Sequence, residues 1–460
     1  MHILRAAGDD PLRSALLDGG IRLTLIARDA KTPYSGMLPG YVAGHYVEEQ
    51  MHIDLRALCN WSGVRFVEAS ATAVEYYGKG NEGDEDGAGA GVGGLGVVHC
   101  SDGRPPIKYD ALGIDVGSSS GGFFESNGNE DRDGCREGAS ASSITTVKPI
   151  STFTPRWLDL TSQLQETATN YTYENPFFLV VVGGGAGGVE MALSAQCALE
   201  KVLSDFGAKG GAAALKVTLA TRGDELLTGH SSGVRKIFKR ILKEKKVDVR
   251  YKADATGVKN SKGGSGEDED DGHIVSMKIL QLSSDSRFQS PIRFHSCLWC
   301  TSAQAPAFLS SETPFHTTPD GGFLLVHDTY ELSGHPGVFA SGDCCHMTAY
   351  PRSKAGVFAV RAGPIITENI VNYLLGRPLK HHKPQKEFMG LISTGNKNAV
   401  MSRGRWATEG AYLWKLKDRI DRKWIRGYQE LPSRNKKDNR IMFPLQLHQE
   451  MQANEGSECV

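Results

Sequence analysis

The chain has 460 residues, with 52 Lys+Arg against 53 Asp+Glu and a formal charge of −1. That length allows two or three domains with a large core, and the even charge balance gives no electrostatic basis for nucleic-acid binding. No apolar run is long enough to span a bilayer, and residues 1–5 lack the order of a secretory signal. Nine cysteines without framework spacing suit free thiols in the cytoplasm or in an organelle, the latter if a targeting segment precedes the sequence.

Residues 4–17 read as helical, 21–26 (IRLTLI) as a strand and 52–61 as a short helix. Strands follow at 64–67 and 73–77. Residues 78–96 are rich in Gly, Glu and Asp and predict a disordered insertion. Residues 97–98 and 107–109 form the hairpin that it interrupts, and 110–116 (DALGIDV) returns as a buried strand. A second low-complexity insertion covers 118–143, and residues 147–150 enter the next domain.

The most informative feature lies mid-chain. Residues 177–182 (FFLVVV) predict a buried parallel strand. Gly183, Gly185 and Gly188 follow at once, and a helical pattern opens at Val189, Glu190 and Met191. This is a dinucleotide fingerprint in its required strand–turn–helix context. The first glycine permits the tight turn, the second lets a pyrophosphate approach, and the third lets helix pack on strand. The helix N-terminus offers N–H donors and the positive end of its dipole. A second strand at 216–220, a basic amphipathic helix at 236–246, a strand at 247–251, an insertion at 259–272 and strands at 274–282 and 291–294 complete a parallel α/β unit. Beyond it come residues 297–302, a strand at 323–327, the run 337–343 (GVFASGD), a long helix at 355–375, a C-terminal unit at 384–427 and a polar tail at 431–460.

GVFASGD resembles the flavin motif of two-domain flavoproteins, in which a strand delivers an aspartate to the ribityl chain of FAD. Residues 32–44 (TPYSGMLPGYVAG), 52–55 (HIDL), 351–363 (PRSKAGVFAVRAG), 384–385, 392–395 (ISTG) and 414–428 (WKLKDRIDRKWIRGY) narrow the match. Together they resemble the pyridine nucleotide-disulphide oxidoreductases associated with selenophosphate synthetase, a group related to type II NADH dehydrogenases. The resemblance implies an α/β fold with two Rossmann-like domains, for FAD and NAD(P), and a C-terminal α+β cap. The FAD domain would comprise residues 1–150 and 295–380, the NAD(P) domain 151–294, the cap 381–430, and a polar tail 431–460. It places FAD against Tyr34, Ser35, Met37, Leu38, Pro39, Gly117, Gly342, Asp343 and Ala355, and NAD(P)H against Gly183, Gly185 and Gly188. Glu190 is implied at the hydride site, with Lys148 and Lys354 as partners of the flavin or of Glu190. No metal is implied.

The family opens with a strand and a glycine fingerprint for the FAD pyrophosphate, and no such strand precedes residue 21 here. A sequence shortened at its N-terminus is the expectation, with a degenerate paralogue as the alternative, and weak FAD binding follows for the chain as written. Neither second strand ends in the usual ribose-binding acid. Ala27-Arg28 ends one, and Thr221-Arg222 the other. Arg222 reads equally as a 2′-phosphate partner or as a solvated turn residue. Cys297 and Cys300 lie three apart on a predicted strand, so their sulfurs face opposite ways. Cys344 and Cys345 follow the FAD aspartate. The apolar residues of 412–428 recur at helical spacing and predict packing on the body, while a basic, Trp-bearing helix also suits a peripheral membrane contact.

The expected function is hydride transfer from NAD(P)H to flavin, then electron transfer to a small-molecule acceptor (a quinone or a selenium or sulfur species) or to a protein, with a functional link to selenophosphate synthetase. The rival is a non-catalytic NAD(P)-binding or interaction protein that has lost its flavin.

Overall fold

The FFLVVV run forms the central strand, Phe177–Val182, of a five-stranded parallel sheet. In a computed structural model describing residues 1–9, 12–18, 20–78, 94–122, 143–260, 277–283 and 290–432, that sheet is ordered Ile144–Thr146, Ser296–Trp299, Phe177–Val182, Leu215–Ala220, Asp248–Arg250. Alternation along the central strand divides its side chains between two faces. Leu179 and Val181 join the core of Val189, Leu199, Val234 and Phe238, from the helices Ala186–Asp205 and Ser232–Glu244. Val180 and Val182 join Leu280 and Ile292 of an antiparallel sheet, Ala255–Asn260, Lys278–Leu282, Ile292–Phe294. Burial on both faces is why the strand reads as continuously apolar. Each such side chain taken out of water contributes about 1.5–3 kcal/mol.

The other Rossmann-like unit is assembled from distant segments. Thr24–Ala27 pairs in parallel with Arg65–Glu68. Leu112–Ile114 pairs in parallel with His335–Ala340, in a five-stranded sheet that also holds Glu331–Leu332, Leu324–Val326 and Cys345–Met347. Among the described residues no strand joins these two sheets. Ala71–Tyr76, Gly96–Cys100 and Ile107–Tyr109 form an antiparallel sheet beside them. The cap is the antiparallel sheet Gly390–Ser393, Ala399–Arg403, Trp406–Gly410 and then the helix Ala411–Gln429.

The predicted helix at 52–61 is instead a strand, His52–Asp54, and a helix, Leu55–Ser62. Asp54 makes the break: its carboxylate accepts from Ala57 N at 2.9 Å and caps the helix. His52–Asp54 pairs with Lys31–Pro33. The expected insertions at 78–96, 118–143 and 259–272 and the tail at 431–460 lie, apart from their edges, outside the described residues.

Candidate functional site

The three fingerprint glycines are explained by three different geometries. Gly183 has φ +133°, and a Cβ there would sit 2.2 Å from the Cys300 carbonyl oxygen. A Cβ on Gly188 would sit 1.9 Å from the Gly183 carbonyl oxygen. These two positions close the turn and seat the helix on the strand. A Cβ on Gly185, by contrast, meets nothing within 4 Å, and the residue is exposed. It leaves room in front of the first N–H groups of the helix Ala186–Asp205, which have no intrahelical acceptor. A dinucleotide diphosphate fits that space, so Gly183, Gly185 and Gly188 would hold it. Arg222 is exposed, two residues beyond the end of the second strand at Ala220, where an adenosine ribose is reached in this topology.

Of the residues expected at the flavin, Ser35, Gly342, Asp343 and Ala355 meet around the N-terminus of the helix Gly356–Leu374. Ser35 Oγ lies 3.7 Å from the Cβ position of Gly356, and Met37, Leu38 and Pro39 are buried. The Asp343 carboxylate ends the strand His335–Ala340 after Gly342, whose φ is +70°. It accepts from Lys148 Nζ at 2.6 Å and from Ser118 Oγ at 3.3 Å. Gly117, φ +70°, has open space beside it. Lys354 donates to the Cys345 carbonyl and lies 3.8 Å above the Phe323 ring centroid. A cavity of about 20 Å³ opens between Asp343, Arg352, Lys354 and Ala355. A carboxylate beside a helix N-terminus fits the ribityl and pyrimidine end of FAD. Among the described residues no glycine fingerprint precedes Thr24–Ala27 to receive its pyrophosphate.

Neither sequence-predicted lysine partners Glu190: Lys148 pairs with Asp343, and Lys354 with a backbone carbonyl. Glu190 lies in the second turn of its helix, one turn later than its sequence position suggested. Its Oε1 accepts from Ser393 N at 2.6 Å, and burial pushes its carboxyl up to about 7, with Lys417 opposing the shift. Lys417 lies within the 414–428 run, to which the sequence assigned no single site cation. It donates to Asp421 Oδ2 at 2.6 Å and to the Gly36 carbonyl at 2.5 Å. Tyr34 donates to Asp421 Oδ1 at 3.2 Å, and its ring stacks on Trp424 at 4.1 Å. Close by, His45 bonds Gly395 O at 2.8 Å, and Tyr46 donates to Asp418 at 2.8 Å. A Cβ on Gly395 would strike Leu193 O at 2.3 Å, so the cap loop rests directly on the fingerprint helix.

Cys297 is buried in the strand Ser296–Trp299, Cys300 follows its end, and both are free. Burial raises both thiols. Cys345 is pushed up to about 12, and Cys344 donates to Ser341 O at 3.1 Å. None of the four is a ready thiolate. Among the described residues no group of three or more His, Cys, Asp or Glu is placed to hold a metal ion, and no helix is long and apolar enough to cross a membrane. The cap helix packs through Leu413, Ile425 and Trp424, whereas Ile420, read with the apolar set, is 43 % exposed.

Paired nucleotide sites of this geometry define a two-domain dinucleotide-binding flavoprotein. The chain belongs to the pyridine nucleotide-disulphide oxidoreductase family, whose model matches residues 13–363; the cofactors of that family are FAD and NAD(P)H. It is 28 % identical to ferroptosis suppressor protein 1 of Xenopus tropicalis over 223 residues, 48 % of this chain and 52 % of the relative. The Xenopus laevis protein of the same name is 25 % identical over 55 % of this chain and 62 % of the relative. The chain thus spans between half and two thirds of these curated relatives. The fold is similar to sulfide:quinone oxidoreductase of Aquifex aeolicus, with a TM-score of 0.65, 16 % identity, and 93 % and 89 % of the two chains covered. It is also similar to NDH2 of Plasmodium falciparum in complex with NADH, with a TM-score of 0.60, 12 % identity, and 90 % and 94 % covered.

Proposed function

We propose that this chain is an FAD-dependent NAD(P)H oxidoreductase that delivers electrons to a small acceptor, with a quinone favoured. The observation that carries the reading is the convergence on Glu190. The helix that opens at the nucleotide loop is tied through Ser393 and the Lys417–Asp421 pair to the turn Ser35–Met37 on the flavin side. FAD, when bound, supplies the hydride acceptor and the electron outlet. The protein's part is positional. Gly185 would leave the diphosphate its room, the Asp343 carboxylate would hold the sugar hydroxyls, and Glu190 holds or releases a proton close to neutrality.

The buried, protonated thiols speak against a cysteine relay to selenium or sulfur, and the likeness to a sulfide:quinone oxidoreductase supports a quinone. A functional link to selenophosphate synthetase, which the sequence resemblance implies, would make a selenium species the competing acceptor. The experiment is anaerobic reduction of the FAD-loaded protein by NADPH or NADH, then reoxidation by a short-chain ubiquinone, selenite or polysulfide. Failure of either nucleotide to bleach the flavin refutes the enzyme reading. The rival, nucleotide binding without flavin, is supported if the protein binds NAD(P)H but no FAD.

Lys415, Arg419, Lys423 and Arg426 are exposed along the cap helix, and Trp406 is 77 % exposed on the hairpin before it. This surface suits an anionic membrane, from which a lipid-soluble quinone would be drawn. Co-sedimentation with phosphatidylserine vesicles, lost in a Lys415→Glu/Lys423→Glu variant, tests the contact.

A further inference from the structure

Arg352 lies just before Lys354, in the segment that leads into the helix Gly356–Leu374, and it lines the cavity beside Asp343. Its partners are uncharged. Nη2 donates to the Tyr330 hydroxyl at 3.1 Å, Nη1 donates to Met347 Sδ at 3.5 Å, and the guanidinium stands 5.2 Å from the Phe358 ring centroid. Among the described residues it forms no ion pair. The nearest acid of the cavity, Asp343, is already held by Lys148. A half-buried guanidinium without an anion has lost water and gained little in return, so the arrangement calls for a negatively charged group from outside the chain.

The cation is mounted rigidly. Arginine can only donate, so the Tyr330 oxygen accepts from it and sends its own proton to His382 Nδ1, 2.9 Å away. His382 is therefore a neutral acceptor, and burial, Arg352 and Arg361 hold its imidazole below the usual range. Tyr330 is fully buried with φ +65°, a left-handed conformation rare for a bulky residue. Neighbours keep it there: Asn369, buried in the helix Gly356–Leu374, donates to the carbonyls of Thr329 and Lys380, each at 2.9 Å. A surface cation has no use for such orientation, whereas a binding group depends on it.

The cavity, about 20 Å³, admits one oxygen-sized atom and excludes a ring. Beside it Phe358 packs edge-on against Phe388 at 5.3 Å, and Met389 is 40 % exposed. That apolar flank suits a ring lying outside the cavity, and an inorganic oxyanion would leave it unused. We propose that Arg352 is a substrate-binding residue: its guanidinium receives one carbonyl oxygen of the quinone acceptor, and so favours acceptors whose oxygen carries negative charge. The proposal rests on the reading of the chain as an oxidoreductase with a quinone acceptor.

The test uses the full chain and a pair of naphthoquinones of similar size: 2-hydroxy-1,4-naphthoquinone, an anion at neutral pH, and uncharged 2-methyl-1,4-naphthoquinone. Binding is measured by equilibrium dialysis, with and without added FAD. The parent should bind the anion about tenfold or more tighter. Arg352→Met should erase that preference and leave the uncharged quinone within about threefold of the parent. Arg352→Lys, a charge without the fork, should retain part of the preference. Tyr330→Phe, the second variant should Arg352→Met not fold, keeps the ring, loses the mount and should cut the preference severalfold. A parent that binds both quinones alike, or neither, overturns the proposal, as does a preference that survives Arg352→Met. Displacement of the anionic quinone by FAD also overturns it, because the cavity would then be the flavin's own. If NADPH leaves the flavin of the loaded parent unbleached, the oxidoreductase reading fails, while the preference for the anion and its loss in Arg352→Met still decide whether Arg352 binds that oxygen.

Discussion

Gly185→Val should separate nucleotide binding from folding. Gly185 has φ −77° and ψ 178°, extended backbone that any residue adopts, and a Cβ there touches nothing within 4 Å. The fold should therefore lose no more than about 1 kcal/mol. The new side chain fills the space before the helix N–H groups, where the diphosphate must lie. A charge-assisted hydrogen bond contributes about 1.5–3 kcal/mol. Losing two of them amounts to about 3 kcal/mol or more, an affinity loss of about a hundredfold. Gly188→Ala is the contrast. Its Cβ would meet the Gly183 carbonyl oxygen at 1.9 Å, a backbone atom that cannot swing aside. That variant should lose about 1–3 kcal/mol of stability or more. Nicotinamide fluorescence titration and thermal denaturation of both variants make the comparison. A Gly185→Val protein that binds NADPH within about twofold of the parent refutes the diphosphate assignment, and a Gly188→Ala protein that melts with the parent refutes the packing argument.

Further expectations follow from single groups. Arg222→Glu should weaken NADPH by about tenfold or more, through loss of a charge-assisted contact to the 2′-phosphate, while sparing NADH; equal losses in isothermal titration would return Arg222 to the solvent. Burial holds the Glu190 carboxyl at about 7 against an ordinary 4.5, so the fold keeps this proton longer than the unfolded chain does. Its contribution to stability is full below about 4.5 and is lost as pH rises through 7, a slope that denaturant melts should show flattened in Glu190→Gln. His295 behaves oppositely. Burial lowers it to about 4, and its Nδ1 accepts from Phe178 N at 2.9 Å, so its contribution is present above 6.5 and lost as pH falls towards 4; melts of His295→Gln should lack that acid limb. Asp343→Asn should weaken FAD retention on gel filtration without changing NADPH affinity, because its partners are Lys148 and Ser118 and not the glycine loop.

What was legible in the sequence was local. FFLVVV, three glycines and a helix start lie within fifteen residues, and each constraint there is a backbone one: a positive φ at Gly183, a 1.9 Å approach at Gly188, open space at Gly185. At Gly183 and Gly188 such constraints admit one residue type, and Gly185 keeps open the space that a diphosphate needs, so together they leave a readable pattern. GVFASGD was legible for the same reason, as a strand that must end on glycine and an acid. The helix at 52–61 was misread because apolar spacing persists across the strand–helix break, and only the cap at Asp54 marks it. The lysines were legible as charges but not as partners. Lys148 and Lys354 lie beside motifs, yet their partners are Asp343 and a carbonyl.

Lys417 shows why the remainder was hidden. Its partner Gly36, and Tyr34 on its paired acid, lie hundreds of residues away, so no window of sequence contains the reason for its burial. Within its own helix it is one basic residue among several. Periodicity assigned the apolar positions to the packed face, but the side chains that decide the interface are an ion pair turned inward. Asp421 is 5 % exposed at a position that a hydrophobicity count gives to solvent. A charge pair is buried at a cost. The chain meets that cost where the cap helix meets the turn Ser35–Met37, and an apolar pair there would lack the bonds to the Gly36 carbonyl and the Tyr34 hydroxyl. The position of least favourable local preference is thus the one where the two are held in register.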